Sequence, residues 1–175
     1  MSTDGAFEPK QELVSKDDAI LYEVMEDFDF KNPPIDPMEL REILYNEMMA
    51  RNGIGLAANQ IGLPYRCFIA RTDPIKVVFN PVVTSTFEDD VIMPEGCLTY
   101  PGLFVKIRRP EKIRVRYKNE LGQPVAETFQ GLTARVFQHE TDHLNGIDYL
   151  SRANKIHLDQ AKRKFKIRKR RMKNI

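Results

Sequence analysis

Two histidines four residues apart, with a glutamate directly after the first, stand in Gln138-His139-Glu140-Thr141-Asp142-His143-Leu144-Asn145-Gly146. On a helix, residues four apart share a face, so His139 and His143 can bind one metal ion together. Glu140 then sits beside the first imidazole, where its carboxylate reaches a water on that metal and serves as general base. The competing reading is a pair of exposed histidines on an amphipathic helix. The chain holds three histidines, the third being His157, and the placement of two of them around a glutamate weighs against that reading.

Two histidines leave a metal under-coordinated, because a catalytic site wants three protein ligands and an open position for water. The candidate third ligand is in Glu95-Gly96-Cys97-Leu98-Thr99-Tyr100-Pro101-Gly102. Gly96 before Cys97 and Pro101-Gly102 after it place the thiol on a bend. Alone it means little, since single cysteines are usually buried hydrophobes. Cys67 lies within an apolar run and reads as such a buried thiol.

The elements that must position these residues are partly legible. Asp36-Pro37-Met38-Glu39 reads as a helix start, with Asp36 capping, Pro37 in the first position and Glu39 at capping-box spacing. Leu40, Ile43, Leu44 and Met48 follow at helical spacing and predict a core-facing stripe. Asn52-Gly53 supplies a left-handed position to end it. Gly53-Ile54-Gly55-Leu56-Ala57-Ala58-Asn59-Gln60-Ile61-Gly62 allows close backbone approach, but lacks the dinucleotide-loop spacing and reads by itself as a tight turn in the core. Short β-prone runs cover 66–70 and 76–79. Residues 112–117 alternate polar and apolar as a half-buried strand. Asn119-Glu120-Leu121-Gly122 turns the chain and 125–129 returns as a hairpin partner. Gly131 opens the histidine helix and Gly146 closes it. Before Asp36 the chain reads as loose to about Asp17, then as a weak helix or irregular stretch over 18–28. The fold class predicted is α+β, with antiparallel β-sheets packed around a central C-terminal helix that carries the metal motif.

Composition bounds the rest. A chain of 175 residues is one domain by length. No apolar run reaches the roughly 18 residues of a membrane span, and the amino terminus has neither a secretory nor a transit pattern, so a cytoplasmic location and no membrane partner are expected. The net charge of +2 is unevenly spread: residues 151–175 carry 11 Lys or Arg against the single acid Asp159. A basic tail over 151–175 therefore extends from an acidic body over 1–150, and such a tail points to an anionic partner.

Three stretches, Gly53-Ile54-Gly55-Leu56-Ala57-Ala58-Asn59-Gln60, Glu95-Gly96-Cys97-Leu98-Thr99 and Gln138-His139-Glu140-Thr141-Asp142-His143-Leu144, resemble in order and spacing the three motifs of the peptide deformylase family. The resemblance runs from about Asp36 to Tyr149 and is poor before Asp36. It departs at Asn59, where the family often has proline or threonine, and at Thr99, where it usually has serine. The poor amino-terminal match and basic extension suggest a divergent member, one of viral origin.

What the resemblance implies is removal of the formyl group from the N-terminal formyl-methionine of a nascent peptide, releasing formate. Cys97, His139 and His143 would hold one divalent metal, ferrous iron by analogy, with zinc, nickel and cobalt suited to the same donors. Glu140 would be the general base. The Gln60 amide and Leu98 backbone N–H would stabilise the oxyanion. The substrate would extend along Ile54 and Gly55 and past Gly96, with its methionine side chain against Leu132 and Val136, Glu95 at the pocket mouth and the Arg135 stem over it. Asp142 would pair with an arginine such as Arg109 or orient a ligand. Because the substrate leaves a ribosome, the basic tail would meet ribosomal RNA. A monomer is expected. Two other functions compete: a zinc peptidase using the same His-Glu-x-x-His helix, for which His157 is the one later histidine, and a ribosome-binding homologue without turnover.

Overall fold

The computed structural model describes residues 11–172. The first regular element after a short 3₁₀ turn (Ala19–Tyr22) is helix α1, Pro37–Ala50. Asp36 Oδ1 accepts from the Met38 and Glu39 amides at 2.7 and 3.2 Å, and Pro37 opens the helix. The predicted stripe is buried, with Leu40, Leu44 and Met48 fully so. At its end the left-handed residue is Asn52, not Gly53. The Asn52 amide donates to the Met49 carbonyl and the Gly53 amide to that of Met48, at 3.0 and 2.9 Å, which is the Schellman pattern.

Five antiparallel strands follow in the bonded order β1-β2-β3-β4-β5: Gly55–Ala57, Cys67–Ala70, Lys76–Cys97, Tyr100–Lys118 and Pro124–Gln130. The glycine-rich motif is therefore not a bare turn. It supplies strand β1 at the end of the sheet and then a buried 3₁₀ turn, Ala58–Ile61. The long hairpin β3–β4 exceeds what the hydrophobic pattern predicted. Its register slips at four places along β3, and each slip breaks the two-residue period by which a strand is recognised. Along β4 the alternation holds. Leu103, Val105 and Ile107 face one core cluster, and Ile113, Val115 and Tyr117 face another.

Helix α2, Gly131–Leu144, carries the histidines and is buried from Ala134 onward apart from a half-buried Gln138. Phe68, Val78, Ile113, Val115 and Tyr117 of the sheet pack against its Ala134, Phe137 and Leu144. The chain leaves α2 through Gly146 at φ 68°, where a Cβ would lie 2.5 Å from the Tyr22 carbonyl oxygen. The last element is helix α3, Lys155–Met172. The basic segment is thus an ordered helix over those residues, and Ala161, Leu158 and Phe165 pack against Leu103, Val105 and Ile107. The histidine helix is central, as expected, but α3 rather than α2 is the carboxy-terminal helix.

Candidate metal centre

Cys97 is the last residue of β3 and pairs across a two-residue turn with Tyr100 of β4. That turn presents its thiol to α2. Candidate ligand atoms of Cys97, His139 and His143 all lie within 4.8 Å of one another, the Cys97 Sγ being 3.3 Å from His143 Nε2. His157 lies apart on α3 and is not in this group among the described residues, which removes the third ligand of the peptidase reading. One thiolate and two imidazoles suit a divalent transition metal. Burial and the neighbouring His139 push His143 below its usual range, which leaves it as the neutral imidazole a metal requires.

His139 Nδ1 donates to Glu95 Oε2 at 3.0 Å. This fixes the tautomer and leaves Nε2 for the metal. Burial pushes the Glu95 carboxyl up, but the hydrogen bonds from His139 and Arg109 outweigh that and hold it at about 2. Arg109 reaches Glu95 in a fork, Nε to Oε1 at 2.7 Å and Nη2 to Oε2 at 3.0 Å. Its Nη1 reaches Asp142 Oδ2 at 2.7 Å, which is the partner expected for Asp142. Arg152 adds a second contact to Asp142 at 2.6 Å. Arg135 donates to Glu95 Oε1 at 2.5 Å, to the Ile107 carbonyl and to the Val91 carbonyl. The carboxylate of Glu95 is therefore not at the pocket mouth: it is turned behind His139 and clasped by two guanidiniums. The Arg135 head is likewise buried under the sheet while the residue walls the cavity. This buried ion-pair chain escaped the sequence reading apart from the Asp142–Arg109 pairing, because its members come from β3, β4 and α2.

Glu140 is 4% exposed and its Oε2 has no hydrogen-bond partner among the described residues. Burial lifts its carboxyl to about 7, with Glu95 pushing the same way and His139 opposing. Gly55 is the residue that makes room for it: a Cβ there would lie 2.4 Å from Glu140 Oε1. Gln60 is held by its Oε1, which accepts from the Ala57 amide at 2.9 Å. Its Nε2 points at the centre, 3.4 Å from Cys97 Sγ and 3.2 Å from Thr99 Oγ1. Asn59, one of the two departures noted above, donates to the His143 carbonyl at 2.7 Å and so ties the first motif to the ligand helix.

A cavity of about 710 Å³ opens onto these groups, with Ile54, Gly55, Gly96, Leu98, Leu132 and Val136 in its wall. All the residues expected to touch metal or substrate except His143 border this one space, and of these Glu95 and Arg135 aim their charges away from it. At Gly96 a Cβ would lie 2.7 Å from the Phe104 ring, so Phe104 is a wall residue that no sequence motif marked.

The model of the family described as polypeptide deformylase matches residues 10–159. The likeness therefore begins well before Asp36, earlier than the motifs alone indicated. A peptide deformylase of Synechocystis is 38% identical over 122 residues, which cover 66% of this chain and 65% of that protein's length. One of Bartonella henselae is 37% identical over 169 residues, covering 91% of this chain and 93% of the relative. A crystal structure of a Synechococcus elongatus peptide deformylase in complex with actinonin superposes with a TM-score of 0.81 at 32% identity, covering 90% of this chain and 86% of that one.

Proposed function

The chain belongs to the polypeptide deformylase family, and on that premise we propose that it hydrolyses the formyl amide of N-formylmethionyl peptides to formate and a free amine. The observation that carries the reading is the convergence of Cys97, His139 and His143 beside the buried, unpartnered carboxylate of Glu140. The three ligands would hold one divalent ion, which when bound supplies Lewis acidity and lowers the pKa of water from 15.7 towards about 7.

Glu140 takes the proton from the attacking water and returns one to the leaving amine. The Gln60 amide and the Leu98 N–H stabilise the developing oxyanion, each such donor being worth roughly 2.7–4 kcal/mol. Gln60 arrives oriented, since its carbonyl end is already fixed by Ala57. The peptide adds to the cavity side of β1 at Ile54 and Gly55, with Gly96 opposite. Its methionine side chain enters between Leu132 and Val136, and the stem of Arg135 closes the base. Glu95 acts through His139 rather than on substrate. Actinonin, bound by the Synechococcus relative, would occupy the same cavity.

We propose ferrous iron as the cellular metal, with activity that is lost in air and retained on nickel or cobalt substitution. We also propose that the protein is a cytoplasmic monomer and that the outward cations of α3, such as Lys162, Lys166 and Lys169, meet ribosomal RNA. A steep loss of ribosome binding with salt supports the contact, and unchanged binding after deletion of residues 162–175 refutes it. The decisive test of the reaction is formate release from a formyl-Met peptide by anaerobically prepared protein, with Glu140→Ala as the inactive control. A protein that binds metal at Cys97 yet releases no formate would instead be the silent homologue.

A further inference from the structure

A second cavity, of about 210 Å³, lies between α3 and the β3–β4 hairpin. It shares Pro94, Gly102 and Phe104 with the wall of the catalytic cavity, so the two spaces are neighbours across the Phe104 ring. Lys106 of β4 and Lys164 and Arg168 of α3 line it, with His157 beside them and no carboxylate. None of the three cations makes an ion pair among the described residues. Arg168 has one long hydrogen bond, from Nη1 to the Gly102 carbonyl at 3.5 Å.

The groove is also fixed in place. Leu158, Ala161 and Phe165 anchor α3 on β4, which sets the solvent-exposed side chains of Lys164 and Arg168 at the rim of the recess. Uncompensated positive charge walled by low-dielectric side chains concentrates its field in such a recess. The outward cations of α3 have no such wall. A duplex flank would meet those first, whereas a recess of this volume admits individual side chains.

We propose that this groove receives acidic side chains downstream of the methionine, so that the preferred substrates are formyl-Met peptides bearing Asp or Glu beyond the second residue. The proposal rests on the deformylase reading and deepens it. An extended chain advances about 3.3 Å per residue, so a peptide lying on β1 and leaving past Phe104 brings its later side chains to Lys106, Lys164 and Arg168. The carboxylates would be selected by field and hydrogen bonding at the rim, an effect that salt screens.

The test compares kcat/KM for formyl-Met-Ala, formyl-Met-Ala-Asp-Asp-Ser and formyl-Met-Ala-Lys-Lys-Ser, with wild type and the exposed charge-reversal double variant K164E/R168E. In wild type the acidic peptide should exceed the basic one by about tenfold, mainly through KM, and the ratio should collapse at about 0.5 M salt. In the double variant the ratio should fall to one or invert, with formyl-Met-Ala as the reference too short to reach the groove. An acidic-to-basic ratio near one in wild type, or a ratio that survives charge reversal, overturns the proposal. If formyl-Met-Ala itself is not hydrolysed, the reaction assignment has failed instead. The groove is then read by anisotropy of labelled Met-Ala-Asp-Asp-Ser: salt-sensitive binding lost in K164E/R168E supports it, and no binding refutes it. If the double variant loses affinity for a labelled RNA hairpin but not for the acidic peptide, the groove is a phosphate site and the proposal falls.

Discussion

Glu95 Oε2 accepts the Nδ1 proton of His139 at 3.0 Å, from a carboxylate that Arg109 and Arg135 also clasp. Glu95→Gln keeps the volume and removes the charge. Arg135 then loses its counter-charge, while Arg109 keeps Asp142 alone, and breaking a buried pair in this way typically costs about 3–5 kcal/mol. His139 also loses the acceptor that fixes its tautomer, which for a group behind a metal ligand usually lowers affinity about 10–100-fold. Urea unfolding should show the first effect and chelator competition the second. A variant with wild-type values in both would mean that the ion-pair chain is incidental to the centre.

Gly55 and Glu140 give a sharper steric prediction. In Gly55→Ala the new Cβ would begin 2.4 Å from Glu140 Oε1, so the carboxylate must move or β1 must shift. Displacement of a reacting group by about 1 Å can cost roughly 10²-fold in rate. The expected result is a kcat lower by about that factor with metal content unchanged. Unimpaired turnover would show that Glu140 is not held against β1 in the working enzyme.

What the sequence disclosed and what it hid divide along chain distance. His139, Glu140 and His143 are legible because a helical period alone places them on one face. Asp36 and Pro37 are legible because a cap is local chemistry. Most of β3 was hidden: Thr84-Ser85-Thr86 and Asp89-Asp90 dilute its pattern, and the register slips change its phase. Helix α3 was hidden because its nine cations mask the Leu158, Ala161 and Phe165 stripe that anchors it. The clasp on Glu95 could not be read at all, since Arg109 and Arg135 meet it only after the hairpin folds onto α2. Asn59 looked like a minor departure until its partner, 84 residues away, was seen to be the backbone of a ligand histidine.

That contact makes Asn59 testable. Asn59 is fully buried, and its Nδ2 donates to the His143 carbonyl at 2.7 Å and to the Ile20 carbonyl at 3.3 Å. Asn59→Ala removes both bonds but leaves the His143 carbonyl its bond from the Gly146 amide at 3.2 Å, so the cost is that of a lost hydrogen bond, about 0.5–1.5 kcal/mol. Asn59→Thr, although a residue common in the family at this place, has too short a side chain to restore the bond and should lose a similar amount. Thermal or urea unfolding measures both. Full stability in Asn59→Thr would show that the bond to His143 contributes nothing here.

The two cysteines should report metal loading without any assay of turnover. Burial pushes the Cys67 thiol well up. At a given pH its thiolate fraction is therefore below that of an ordinary thiol, and alkylation, which proceeds through the thiolate, is suppressed. Cys97 is partly exposed at the cavity. In the metal-loaded protein its sulfur is engaged, so iodoacetamide at pH 8 should add nothing within minutes. After chelation a single adduct should form, and peptide mapping should place it on Cys97. Raising the pH to 9 should not add a second, because Cys67 remains protonated, whereas urea should yield two. Cys97→Ala should give none in the folded state and should lose the bound metal. If the loaded protein alkylates at Cys97 as fast as the chelated one, the thiol is not a ligand and the centre has been misassigned.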